Sequence, residues 1–199
     1  MQPKGYAIVT GGGSGIGRAI CLLLARRGWS IAVVDNRGEA ASMVAEEASH
    51  LGGKATAQVF DVSAAKSWEQ FARSLQRDTP RLDLLVNCAG NLLTGALDQC
   101  TADDLRRIVE VNLLGTMYGC QAMLPWMQSS AGTARPRGVI NMASIFAAVA
   151  PPRFAAYNAS KAGVVSFTET LRGELAPLRL NATVVLPGVT PTQLFDRAM

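Results

Sequence analysis

The sequence predicts a doubly wound α/β fold, in which a parallel sheet carries helices on both faces. Strand-like and helix-like segments alternate along the chain with short links. Several of the strand segments, "AIVT", "IAVVD" and "LDLLVN", are unbroken apolar runs, as strands covered on both faces require. The first of these runs straight into a glycine-rich turn, "TGGGSGIG", that opens a helix. A chain of 199 residues fits one domain with a sizeable core, and no composition shift or repeat marks a second one.

Strands are expected near 5–10, 30–35, 55–60, 82–87, 138–143 and 180–186, and helices near 15–28, 38–51, 64–78, 101–128 and 154–176. The first strand breaks at the glycines and the second ends at Asp35. The third leads into "DV" (Asp61-Val62) and the fourth into "NCAG" (Asn87 to Gly90). Val111 to Met127 is the longest apolar helical stretch, but Asn112, Gln121 and Pro125 within it suit a buried helix better than a membrane span. The clearest loop is "SSAGTARPRG", 129–138. The sixth strand stops at Pro187-Gly188.

About half the residues are apolar, and the net charge of +4 rests mostly on arginines scattered as singles and pairs. With no basic stripe they read as solvated helix faces, not as a nucleic-acid surface. The N-terminus enters a strand directly, with no pattern of a signal peptide. The four cysteines form no close pair and His50 is the single histidine, so no metal site is expected. Free thiols suit a reducing cytoplasm.

The turn from Thr10 to Gly17 places Gly11, Gly15 and Gly17 between a strand and a helix. Glycines there permit positive φ and close approach of a ligand, and the helix N-terminus offers unpaired N–H groups to a pyrophosphate. The legible strand before it and helix after it are what a dinucleotide-binding (Rossmann) turn demands, with Gly11, Gly13, Ser14, Gly15, Ile16 and Gly17 as the cradle. Asp35 follows eighteen residues after Gly17. Its carboxylate can accept hydrogen bonds from ribose hydroxyls and would repel a 2′-phosphate, favouring NAD over NADP. Arg37 pulls the other way, because a guanidinium can pair with that phosphate. The plainer alternative for Asp35 is a turn or helix cap.

"YNASKAG" sets Tyr157 and Lys161 four apart on one helix face. An ammonium beside a phenol lowers the phenol's pKa from about 10, and a bound oxidised nicotinamide pushes the same way. Tyr157 would then exchange a proton near neutral pH.

Taken together these motifs resemble the classical short-chain dehydrogenase/reductase family over essentially the whole chain. "TGGGSGIG" is similar to its cofactor turn, and "DV" at Asp61-Val62 to its adenine-contacting pair. "NCAG" resembles its N-N-A-G strand end, with Cys88 in place of the second Asn. Asn112 in "VNLLG" resembles its helix asparagine, Ser144 lies thirteen residues before Tyr157 as the family pattern expects, and "PGVTPT" resembles P-G-x-x-x-T.

The resemblance implies an NAD(P)-dependent oxidoreductase acting on a secondary alcohol or ketone. Tyr157 would be the general acid/base, and Lys161 would lower its pKa and bind the nicotinamide ribose. Ser144 would hydrogen-bond the substrate oxygen; Asn112 would hold a helix kink and a relay water. Cofactor contacts would come from the glycine turn, Asp35, Asp61, Val62, Asn87, Ala89, Gly90, Tyr157, Lys161, Pro187, Gly188, Thr190 and Thr192. Phe146 and Phe154, with Ser144 and Tyr157, would line an apolar substrate pocket; Leu92 and Leu93 could join them, and Arg153 reads as a solvated loop residue.

Two helices, 101–128 and 154–176, carry more small and apolar positions than one face needs. Gly115 and Gly119 would admit a neighbouring helix, either one of this chain's own elements or a second subunit's. The resemblance implies a four-helix interface, hence a homodimer or homotetramer. Six strands complete the order 3-2-1-4-5-6, while the family's lid and seventh strand are absent from the 199 residues; Gln193 to Met199 reads as the first turn of a lid. The rival reading is a truncated dinucleotide-binding or regulatory protein with little or no turnover.

Overall fold

Six strands form one parallel sheet in the order β3-β2-β1-β4-β5-β6 in the computed structural model, which describes residues 4–78, 81–129 and 137–190. β1 (Tyr6–Thr10), β2 (Ser30–Asp35) and β4 (Leu84–Asn87) make the centre, and all six residues of β2 are buried. β5 (Arg137–Met142) lies between β4 and β6. β3 (Lys54–Val59) and β6 (Leu180–Val185) form the edges of the described sheet; no residue of β3 is fully buried, and β6 alternates buried with exposed positions over its first four residues. The unbroken apolar runs are therefore the central strands.

Side chains leave a strand on alternate faces. Ala7 and Val9 pack with Cys21, Ile31, Val33 and Val44 under α1 (Gly15–Arg26) and α2 (Gly38–His50). Ile8 points to the opposite face and packs with Trp68, Phe71, Leu85, Met123 and Leu171. That face is covered by α3 (Ala65–Asp78), the helix that runs from 102 to 129, and α7 (Ala155–Leu175).

The single helix expected over 101–128 is broken in its middle. α4 (Ala102–Val109) starts from a capping box in which Thr101 and Asp104 satisfy each other's backbone N–H groups. A π-helical turn, Glu110–Leu114, follows, and α5 (Gly115–Ser129) resumes with Pro125 inside it. Such π turns displace one helical register and concentrate at functional sites. A four-residue helix, α6 (Phe146–Val149), lies within a segment with no helical signature.

Gly115 and Gly119 serve this chain's own packing, the plainer of the two readings. A Cβ on Gly115 would lie 2.9 Å from the Val62 side chain, and one on Gly119 would lie 2.6 Å from Asn87 Oδ1 and 3.0 Å from the Trp68 ring. No described helix is long and apolar enough to cross a membrane. Thr192, the segment 193–199 and most of the predicted loop 129–138 lie outside the described residues.

Candidate active site

A cleft runs across the carboxyl ends of the strands, where the chain order reverses between β1 and β4. Gly11 (φ +62°) and Gly15 (φ +52°) sit in the left-handed region that glycine tolerates. A Cβ on Gly17 would fall 2.2 Å from the Gly11 carbonyl oxygen, so the turn closes on the first turn of α1 only with glycine there. Ser14 caps α1 without a side-chain hydrogen bond to it, which leaves the first-turn N–H groups to face the cleft.

Asp35 ends β2 and is buried. Its Oδ2 accepts the Gly13 N–H at 3.0 Å; its Oδ1 accepts the Arg37 N–H at 3.0 Å and Arg37 Nε at 3.2 Å. Arg37 Nη2 also donates to Ser14 Oγ at 3.0 Å. Asp35 thus caps the turn as well as lining the cleft, and Arg37 ties it to the glycine loop.

Asp61 lies beyond β3. Its Oδ1 accepts Ser63 N–H at 2.9 Å and Ser63 Oγ–H at 2.7 Å, and its Oδ2 accepts Arg107 Nη2 at 3.0 Å. Burial works to raise this carboxyl, but the Ser63 hydrogen bonds and the Arg107 charge outweigh it and hold the group below its ordinary value.

At the opposite end, Ser144 follows β5 (Arg137–Met142), and Tyr157 and Lys161 stand one turn apart on α7. The Phe146 ring meets Tyr157 edge to face at 6.2 Å and Phe154 at 5.1 Å. Asn112, in the π turn and fully buried, accepts the Asn91 N–H at 2.8 Å. Its Nδ2 donates to the Asn91 carbonyl at 3.0 Å and to Ser160 Oγ at 3.1 Å, and Ser160 donates to the Tyr157 carbonyl at 2.7 Å. Lys161 is buried and donates to the Met142 carbonyl at 2.9 Å.

The expected lowering of Tyr157 by Lys161 is not what this arrangement gives. Burial pushes the phenol above its ordinary value, and a hydrogen bond with Ser144 only partly opposes it. Burial pushes Lys161 down to about 8, opposed by the neighbouring Cys88. Cys88 is itself pushed up to about 11 by burial, opposed by Lys161. The ammonium donates to the Met142 carbonyl and stands 5.9 Å from the centroid of the Tyr157 ring.

Gly11, Ser14, Gly15, Ile16, Gly17, Asp35, Asp61, Val62, Ala89, Gly90, Ser144, Phe146, Tyr157, Lys161, Pro187, Gly188 and Thr190 all line this one cleft. Asn87 does not: its amide turns into the core, donating to Asn141 Oδ1 at 2.9 Å. Gly13 serves Asp35, Asn112 stands behind Gly90, and Phe154 backs Phe146 instead of lining the cleft. Leu92 lines it, whereas Leu93 is buried beneath with Ile108 and Tyr157. The sequence pattern does not single out Asn91, Ile145 or Arg107, which also line the cleft; the neighbouring Arg106 instead bonds Asp103 on the surface. Among the described residues no group of three or more His, Cys, Asp or Glu side chains is placed to hold a metal ion.

The sheet order and the cleft define a dinucleotide-binding α/β protein. The family model for short chain dehydrogenase matches residues 5–198, and the chain belongs to that family. A cyclopentanol dehydrogenase of Comamonas testosteroni is 33% identical over 192 residues, covering 96% of this chain and 75% of that protein. The 3-oxoacyl-[acyl-carrier-protein] reductase of Homo sapiens is 32% identical over 186 residues, covering 94% of this chain and 76% of that protein. The crystal structure of a short-chain dehydrogenase/reductase from Burkholderia phymatum in complex with NAD is similar at a TM-score of 0.92 and 28% identity, covering 98% of this chain and 69% of that one.

Proposed function

We propose that this chain is a nicotinamide-dinucleotide oxidoreductase that interconverts a secondary alcohol and a ketone, with NAD preferred over NADP. The observation that carries it is the meeting of Ser144, Tyr157 and Lys161 at one end of the cleft whose other end holds the glycine turn and Asp35. The donor set fits the cofactor: open N–H groups at α1, a turn that a Cβ at position 17 would close, and an acidic residue ending β2. The similar Burkholderia phymatum protein was crystallised with NAD.

When bound, the nicotinamide supplies hydride acceptance or donation. The chain's own residues orient the substrate and handle the proton. Tyr157 exchanges its phenolic proton with the substrate oxygen, and Ser144 hydrogen-bonds the same oxygen and holds it in line. Lys161, fixed by the Met142 carbonyl, would hold the nicotinamide ribose. Asn112 anchors the backbone at Asn91 and, through Ser160, the first turn of α7. The charged pairs of the cleft, Asp35–Arg37 and Asp61–Arg107, lie on the β2–β3 side. Leu92, Ile145, Phe146 and Val189 line the cleft with Tyr157, which favours a largely apolar, uncharged substrate.

The reading includes a homodimer or homotetramer, implied by the family resemblance, and a reducing cytoplasm, which four free cysteines suit. Light scattering after size exclusion tests the first. Tyr157→Phe tests the chemistry: ketone reduction with NADH should fall by about 10²-fold or more while NADH affinity stays within about twofold. A wild type that binds NAD but turns over no alcohol or ketone across a broad panel would establish the binding-protein reading instead.

A further inference from the structure

We propose that Arg107 is a positioning residue for the adenine base, pinning the Asp61 carboxylate at the edge of the cleft so that it faces the base as a fixed acceptor. The inference rests on the dinucleotide reading above. Arg107 stands on the last turn of α4, and Asp61 follows β3, so their 3.0 Å bond joins two elements across 46 positions of sequence. Both line the cleft, with side chains 42% and 33% exposed. Arg106, the neighbouring arginine, bonds Asp103 within α4 instead.

The lone pairs show what Arg107 contributes. An ionised carboxylate offers about four acceptor positions. Ser63 fills two on Oδ1 through its N–H and hydroxyl, and Arg107 fills one on Oδ2. One position on Oδ2 remains for a ligand. Without Arg107 the carboxylate is held at Oδ1 alone and can swing about that point. With it, the plane of the carboxylate and the open position are both set. A base with an exocyclic amino group is a donor to that position. A 6-oxo base brings an acceptor against a carboxylate and is disfavoured. The pair should therefore confer preference for adenine over hypoxanthine, and the preference should depend on Arg107 although Asp61 makes the contact.

The test is calorimetric titration of the full chain with ADP-ribose, inosine-diphosphate ribose and nicotinamide mononucleotide, which lacks the base and its ribose. The wild type should prefer ADP-ribose to the inosine analogue. Arg107→Leu should weaken ADP-ribose about tenfold, bring the two analogues to near equality, and leave nicotinamide mononucleotide unchanged. Arg107→Lys, which keeps one donor, should recover part of the base preference. In turnover, the cofactor KM should rise while kcat at saturating cofactor stays within about twofold. Should Arg107→Leu melt at a lower temperature than the wild type, Arg107→Gln carries the same comparison. The clamp is overturned if ADP-ribose binding is unchanged, if all three ligands weaken by one common factor, or if affinity falls with the base preference intact. A wild type that binds nicotinamide mononucleotide and NAD but shows no base preference overturns the clamp alone; one that binds no NAD or ADP-ribose overturns the dinucleotide reading as well.

Discussion

Lys161 Nζ donates to the Met142 carbonyl at 2.9 Å and stands 5.9 Å from the centroid of the Tyr157 ring. The two side chains share a helix face, as their spacing requires, but the ammonium is anchored to the end of β5. Its charge is spent mainly on a carbonyl, and the phenol is governed by burial.

Tyr157 should accordingly titrate above its ordinary value in the chain alone, and NAD should bring it down, because a nicotinamide cation favours the phenolate. Ultraviolet difference titration of wild type against Tyr157→Phe isolates this phenol. A wild-type Tyr157 that ionises below its ordinary value before NAD is added would show that Lys161 acts on it directly.

Burial of Lys161 makes stability depend on pH in a direction that can be worked out. Its folded value is about 8, below the ordinary 10.5. Below both values folded and unfolded chains carry the same proton, and the cost of burying the charge is fully present. Between about 8 and 10.5 the unfolded chain binds more protons, so this group makes stability rise with pH. The buried thiols Cys21 and Cys120, pushed up to about 12, act oppositely above their ordinary value of 9.0. The clean quantity is therefore the urea-unfolding free energy of wild type minus that of Lys161→Met. It should increase from pH 8 to pH 10, and a flat difference would mean that Lys161 keeps an ordinary value.

Gly119→Ala should destabilise the chain by about 1–3 kcal/mol through overpacking. The added Cβ would press on Asn87 Oδ1 at 2.6 Å and on Trp68 at 3.0 Å. Asn87 cannot yield easily, because its Nδ2 is committed to Asn141, Thr116 and Cys120. Gly173→Ala, where a Cβ meets nothing within 4 Å, is the control and should be neutral or stabilising. Equal denaturant midpoints for the two variants would contradict this packing.

The legible parts of the fold were those with local signatures. β1, β2 and β4 announce themselves as unbroken apolar runs because both faces are covered, and the glycine turn announces itself because only glycine fits there. The contributions of Asn87 and Arg107 were not legible. Asn87 ends β4 one residue before the cleft, and the two-residue period of a strand sends its amide into the core while the backbone ahead of it lines the site. Arg107 looks like any solvated helix arginine until the turn after β3 brings Asp61 within hydrogen-bond distance of the last turn of α4. α6 is too short to show a period, and the π turn at 110–114 leaves no pattern distinct from a continuous helix.

Asn112 gives the last prediction. Its amide is fully buried and makes three hydrogen bonds, two to the Asn91 backbone and one to Ser160. Asn112→Ala would strand the Asn91 N–H and carbonyl, at a cost of about 2–4 kcal/mol. Asn112→Asp keeps an acceptor for the Asn91 N–H but removes both donor bonds and places a carboxylate at a fully buried position, so it should do no better than alanine. The loss should be local first: the Asn91 amide should exchange hydrogen faster in both variants, and turnover should fall because the Asn91 backbone and the Ser160 link to the Tyr157 carbonyl lose a common anchor. Near-wild-type stability and Asn91 protection in Asn112→Asp would show that the donor bonds to Asn91 and Ser160 do not hold this end of the cleft together.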